Sequence, residues 1–418
     1  MFGIKKIAES EYSFSLLNKI SSILTGLITS SLINRYLGVE GKGQYVYLIN
    51  LAYIVVIIGN LGFVQSYSKS KRNNLSNNQK KYADVFVAQF VLYSFLALII
   101  SLIVKWDALY TAILFLIPVQ ICSQQFSKII LADYYFFFQK TRFYFLFLEL
   151  LSICVVCVFF PRSSVFLVAL LTLKDLALII IYLIKIRYSF KDFSIEIPFI
   201  KMLLKFGFVA MMTELLITFN YKLDLIMLKW YVDDVQLGLY SVGIALAEYI
   251  WIIPDAFKDV IYFKTSNSNA IKDILTSIRV NLLVSIVAML GMVFLGYPFI
   301  YIMYGTDFLG SHIVTCVALL GVPAMIIYKL TNYLYLANGK QLFYFLSLCV
   351  SVFSNMLFNL LLIPYMGKIG AALASSLAYN ICGLCFLIKF LRDYSIPWVE
   401  IVKFSKNDLF FLVGKIKK

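Results

Sequence analysis

FSLLNKISSILTGLITSSLI, residues 14–33, is long enough as a helix to cross roughly 30 Å of hydrocarbon. Its polar residues are not scattered. Ser15, Asn18, Ser22, Thr25 and Thr29 step by three or four positions and form one stripe on a helix. Lys19 sits beside that stripe. A charge at the centre of a bilayer costs about 2.5–3.5 kcal/mol on insertion scales, so this lysine is expected to face protein or a water-filled cavity rather than lipid. The segment reads as a membrane span that lines a polar path.

Composition extends that reading to the whole chain. Of 418 residues, 61% are hydrophobic and 14% charged, with a mean hydropathy of +0.87. Soluble domains carry about 25% charge, so a multi-spanning membrane protein is indicated. The excess of 37 basic over 22 acidic residues would suggest nucleic acid in a soluble protein. Membrane topology accounts for it here, and no nucleic-acid partner is expected. The cysteine pairs Cys154/Cys157 and Cys382/Cys385 lie in apolar runs without acidic or histidine neighbours, and His312 is the only histidine, so no metal site is expected. Lys5 and Lys6 precede a full-length span with no small-residue cleavage site, so the first span is expected to be retained.

Apolar runs of spanning length fall at 14–34, 45–66, 82–104, 108–131, 143–160, 164–185, 202–222, 237–257, 280–303, 313–336, 342–363 and 369–391. Twelve spans put both termini on one side. With that side cytoplasmic, the basic residues gather there, from Lys5 and Lys6 through the 69–81 and 185–205 groups to the tail. Arg35, Lys42, Lys105, Arg162, Lys229 and Lys368 face the other side, and Lys19, Lys174, Lys222 and Lys329 lie within spans. The bias orients the chain with both termini in the cytoplasm. The outer connections are short, which argues against a polymerase or ligase with a catalytic external loop. Residues 394–418 place Trp398, Ile401, Leu409, Leu412 and Ile416 at helical spacing among lysines. This is the pattern of a basic amphipathic helix on an anionic leaflet.

The chain also repeats. Residues 35–45 align without a gap on 230–240, an offset of 195. The same register pairs Lys19 with Glu214, Thr25 with Asn220 and Thr29 with Asp224. Two halves of six spans each make a parallel repeat. The expected domains are therefore 1–190, 191–393 and the tail 394–418, with an all-α membrane fold of about twelve helices in two pseudo-symmetric six-helix lobes.

The most specific wording comes late. Asn355 and Asn359, followed by Ile363-Pro364 and by Gly367, Gly370, Ala371 and Ala372, resemble the N-x-x-x-N, I-P-x-x-G-x-x-G-A-A pattern of the polysaccharide flippase branch of the multidrug/oligosaccharidyl-lipid/polysaccharide exporter superfamily. The stretch Asn34–Gly38 to Gly43–Tyr45 is similar to that family's opening loop, and Tyr304-Gly305 to Phe308 to its ninth-span ending. The resemblance implies a MATE-like exporter fold in a bacterial cytoplasmic membrane. It also implies an undecaprenyl-diphosphate-linked oligosaccharide cargo, such as an O-antigen repeat unit, and other polysaccharide-assembly membrane proteins as partners. Read physically, Asn355 and Asn359 share a helix face and can bond a neighbouring helix or cavity water, and Pro364 and Gly367 are expected to close the helix.

A lipid-linked glycan needs cations for its diphosphate and amides or hydroxyls for its sugars. The candidates are Lys19, Lys329, Lys222 and Lys174, with Asn18, Ser22, Thr25 and Asn332 beside them. Asp175 next to Lys174 offers local compensation, and Lys222 can snorkel to the nearby interface. No cofactor is implied; coupling to an H+ or Na+ gradient would fall to Glu214, Glu248 and Asp224. Glu248, Trp251 and Asp255 share one helix face. Lys19 and Glu214 are expected to point into one cavity and to pair. The competing readings are an ion-coupled drug antiporter, which would use acids rather than Lys19, and a lipid II flippase.

Overall fold

The computed structural model describes residues 2–72, 79–251, 254–255, 270–403 and 408. Among them the chain is helical and contains no strand. A backbone in hydrocarbon must satisfy its own hydrogen bonds, and helices do so within one segment. The helices are α1 (Phe2–Gly59), α2 (Phe63–Arg72), α3 (Gln79–Ile103), α4 (Ala108–Asp133), α5 (Tyr135–Phe159), α6 (Ser164–Lys185), α7 (Ile197–Leu228) and α8 (Asp234–Tyr249). After these come α9 (Ala270–Tyr304), a 3-10 turn (Thr306–Phe308), α10 (Ser311–Leu319), α11 (Val322–Ala337), α12 (Gln341–Asp393) and α13 (Val399–Val402).

Eight described helices are long and apolar enough to cross a membrane, and α10 with α11, bent by 53°, add a ninth. Two of the eight carry a break. α1 leaves helical geometry at Gly38 (φ 69°, ψ 179°) and α12 at Gly367 (φ 52°, ψ −130°). Counting each as two passes and including the 16-residue α8 recovers the twelve spans read from hydropathy. The repeat register sets Gly38 opposite Asp233, which N-caps α8 by accepting from Gln236 N at 2.9 Å. The break in α1 and the α7–α8 connection therefore fall at corresponding points of the repeat register.

Three boundaries differ from expectation. The second span stops at Gly59 rather than running to 66, because Leu61 and Gly62 take positive φ (53° and 72°) before α2 begins. Gly62 lies against α7 so closely that a Cβ there would stand 2.1 Å from the Gly207 carbonyl oxygen, and one on Gly207 2.6 Å from that of Gly62. The tenth span is broken at Gly321, where a Cβ would come within 2.9 Å of Tyr379 Cδ2, and Pro323 then opens α11. Pro364 does not close its helix: the helix continues past it and breaks at Gly367.

The chain divides into two compact units, Met1–Leu215 and Leu216–Lys418. In the first, a ring-rich cluster of Tyr67, Tyr82, Phe86, Phe126 and Phe199 joins α2, α3, α4 and α7 through edge-on contacts 4.9–6.0 Å apart. A second cluster sets Tyr36, Tyr45 and Leu48 of α1 against Leu116, Leu167 and Val168. In the second unit Phe386 of α12 is surrounded by Tyr328, Tyr335, Phe343 and Tyr344 at 5.1–6.2 Å. Of the tail, α13 and Asp408 are described. Arg279 holds both, bonding the Glu400 carbonyl at 2.9 Å and the Asp408 carboxylate at 3.0 Å. The amphipathic helix expected through Ile416 lies outside the described residues.

Candidate functional site

In the second unit, α7, α8 and α11 bring two lysines and two carboxylates together around aromatic rings. Lys329 Nζ donates to Asp255 Oδ2 at 2.9 Å and stands 5.0 Å from the Trp251 ring centroid. Tyr221, Trp251 and Tyr379 form a triad with centroids 5.4–6.1 Å apart. Lys222 lies 3.9 Å from Glu248. Regular α8 ends at Tyr249, yet helical-type bonds from Trp251 N to Glu248 O and from Asp255 N to Trp251 O carry the turn onward. Of the three residues expected on one helix face, Glu248 meets Lys222, while Trp251 and Asp255 meet Lys329. Asn332 is buried one turn below Lys329, and its side-chain oxygen has no hydrogen-bond donor among the described residues.

Asp224 is held differently. It is fully buried, and its carboxylate accepts from Tyr240 OH, Ser375 Oγ and Leu225 N. Hydroxyl donors satisfy it in place of a cation. Nearby, Ser351 donates to Asn220 at 2.7 Å, and Asn359 donates to Asn355 at 2.8 Å, both asparagines being buried. The asparagine pair of the family pattern therefore bonds within its own helix.

In the first unit the stripe of α1 is partly consumed by packing. Asn18 donates to the carbonyl and side-chain oxygens of Gln139, each at 2.8 Å, and buried Thr25 donates to Ser21 O at 2.7 Å. Ser22 is half-buried and Lys19 is exposed; the side chain of Ser15 lies outside the described residues. Glu214 accepts from Gln65 Nε2, so its hydrogen bond goes to α2. Lys174 meets Glu149 on α5 at 3.3 Å, and its neighbour Asp175, whose charge also opposes that of Lys174, accepts from Ser123 at 3.2 Å.

Beside these pairs, α4, α5 and α6 enclose a polar cavity of about 370 Å³ lined by Gln120, Gln124, Ser127, Arg142, Glu149 and Lys174 among others. Sequence reasoning missed its α4 wall. Gln120, Ser123, Gln124 and Ser127 recur at helical spacing, a polar stripe as regular as that of α1, and could have been found the same way. Deeper in, Asn60, Gln89 and Gln125 form a buried carboxamide chain: Gln125 Nε2 reaches Asn60 at 3.1 Å and Gln89 at 2.7 Å, and Gln89 Nε2 reaches Gly59 O at 2.6 Å.

Comparison with known proteins agrees with this architecture. The family model "Polysaccharide biosynthesis protein" matches residues 11–253, and "Lipid II flippase MurJ" matches residues 261–416. No curated protein sequence matches the chain. Among solved structures, a lipid II flippase MurJ in an inward closed conformation superposes with a TM-score of 0.69 at 19% identity, covering 97% of this chain and 96% of that one. An inward-facing multidrug resistance MATE family transporter gives 0.67 at 10% identity over 90% and 95%. The Vibrio cholerae MATE transporter VcmN gives 0.59 at 12% identity over 96% and 100%. At such identities the likeness shows the fold. With more than half of its length matched by the first model, this multi-pass, all-α chain belongs to the polysaccharide biosynthesis protein family of the multidrug/oligosaccharidyl-lipid/polysaccharide exporter superfamily.

Proposed function

We propose that the chain is a flippase that carries undecaprenyl-diphosphate-linked oligosaccharide repeat units, of O-antigen or a similar surface polysaccharide, from the cytoplasmic to the outer leaflet of a bacterial cytoplasmic membrane by alternating access. One observation carries the reading: Lys174, Lys222 and Lys329, all within long apolar helices or the turns between them, are each held by a carboxylate. A diphosphate, with more acceptor oxygens and more charge than one carboxylate, can displace such a partner from a lysine and release again. The amide and hydroxyl walls supply partners for sugars. No bond is made or broken in this cycle.

In this reading both termini are cytoplasmic, Lys19 guides the diphosphate along α1, and Asp224, Glu214 and Glu248 are the groups available for ion coupling. The test is the leaflet in which lipid-linked units accumulate after the gene is deleted. Inner-leaflet accumulation is expected, and single units reaching the outer leaflet would overturn the proposal. The match of residues 261–416 to the lipid II flippase model favours a second reading with lipid II as cargo. Rescue of a strain depleted of its lipid II flippase distinguishes the two.

A further inference from the structure

The polar cavity between α4, α5 and α6 does not end in protein. Phe145, Glu149 and Lys174 line it, and they also line a second, apolar cavity of about 500 Å³ between α5 and α6. Leu148, Leu151, Val155 and Leu173 of that groove are exposed on the surface of the first unit, as is Ala169. Both volumes fall within the roughly 300–1,000 Å³ usual for small-molecule sites.

The position of the junction is informative. Lys174 lies ten residues from the start of α6 at Ser164 and eleven from its end at Lys185, about 15 Å from either end at 1.5 Å per residue. Glu149 is similarly far inside α5. A resident phospholipid keeps its head at the interface, so a charged junction at mid-helix with an apolar groove leading from it does not match such a lipid. It matches an amphiphile whose anionic head has left the interface. Arg142 and Lys174 supply cationic donors at the head end, balanced by Glu149 and Asp175. An arriving diphosphate would take Glu149's place on Lys174 and gain a planar fork from Arg142.

We infer that the first unit contains a complete site for a polyprenyl-diphosphate lipid, with the diphosphate and first sugar in the α4–α5–α6 cavity and the isoprenoid chain in the α5–α6 groove. The inference rests on the proposed flippase reading for its ligand class and places that ligand on helices outside α1 and α7. Glu149 then serves as a stand-in anion that occupies Lys174 between cargoes.

The test uses the full chain in phosphatidylcholine nanodiscs with a polyprenyl diphosphate carrying a diazirine in its tail. After irradiation, labelled peptides are mapped by mass spectrometry. Label is expected on residues 145–177, reduced at least ~10-fold by excess unlabelled polyprenyl diphosphate. Phosphatidylglycerol at the same mole fraction should compete far less. Ala169→Trp, which fills the groove from an exposed position, should remove the tail label while leaving the melting temperature unchanged. The Arg142→Gln/Lys174→Gln pair should weaken competition by inorganic diphosphate. Equal competition by phosphatidylglycerol, uniform labelling of all exposed helices, or an Ala169→Trp protein labelled like the parent would overturn the inference. Because this assay reads binding without transport, its failure leaves the leaflet assay standing, and failure of the leaflet assay leaves the lipid site standing.

Discussion

Lys329 Nζ stands 2.9 Å from Asp255 Oδ2, and Lys329 is the more buried of the two side chains. Removing one member of such a pair strands the other; a fully buried ion pair broken this way loses about 3–5 kcal/mol, and the partial exposure of Asp255 lowers that to roughly half. Asp255→Ala should therefore melt well below the parent in detergent. The swap Lys329→Asp/Asp255→Lys should regain most of the melting temperature but not transport, since the cation then sits on a different helix. Recovery of transport by the swap would mean that the pair serves folding alone.

The contact of Gly62 with Gly207 leaves no room for a methyl group. Gly207→Ala is expected to cost more than about 3 kcal/mol, the range for overpacking compounded by backbone displacement. The yield of monodisperse protein on size exclusion should collapse. Gly291→Ala, where a Cβ meets nothing within 4 Å, is the control, and should be neutral or stabilising by about 0.5–1 kcal/mol as a helix-interior replacement.

Asp224 is satisfied by hydroxyls, so each hydroxyl can be removed in turn. Tyr240→Phe should cost about 1–3 kcal/mol by leaving a buried acceptor short of a donor. Asp224→Asn keeps the shape but cannot take up or release a proton. If Asp224 couples transport to an ion gradient, that variant will retain cargo binding and lose the response of transport to the gradient. A gradient response equal to the parent's would exclude Asp224 from coupling.

Arg279 joins α9 to the tail through Glu400 and Asp408. Arg279→Gln should free α13, read as faster amide exchange over 399–402 with exchange in α6 unchanged. Equal exchange in the two proteins would show that Ile401, buried beside it, suffices to hold the helix.

Orientation can be tested separately from mechanism. A green fluorescent protein fused after residue 418 should fluoresce, and alkaline phosphatase at the same point should be inactive, because both termini are expected in the cytoplasm. The reverse pattern would invert the topology.

The twelve spans are legible because hydropathy needs only composition over a window of about 20 residues, and the repeat rests on the wording that 35–45 shares with 230–240. Partners were harder to read. Asp175 does offset the charge of its neighbour Lys174, but the closer partner of the lysine is Glu149 on another helix, which the spacing within one helix could not name. Lys19 and Glu214 were linked by the repeat, yet equivalence in a repeat is a statement about position within each half, and Glu214 bonds Gln65. The α5–α6 groove is not legible in the sequence because a groove is a property of two helix faces, and each face alone reads as ordinary lipid-facing leucine. The α4 stripe of Gln120 to Ser127 is legible in the sequence by its helical spacing, although it carries no charge to mark it.

The meeting of Gly62 with Gly207 has a mechanical side as well. Most helix crossings interlock through side chains, so turning one against the other means re-sorting rotamers at every tooth. Here two bare backbones touch, and the meshing lies to either side, in the Tyr67–Phe199 ring cluster and the bond from Ser66 Oγ to Leu203 O at 3.0 Å. Such a joint works as a clamp: the glycines set how near α2 and α7 can come, and the flanking contacts fix their mutual angle. The start of α2 and the middle of α7 are thus expected to move as one piece in a protein whose proposed work is to rock.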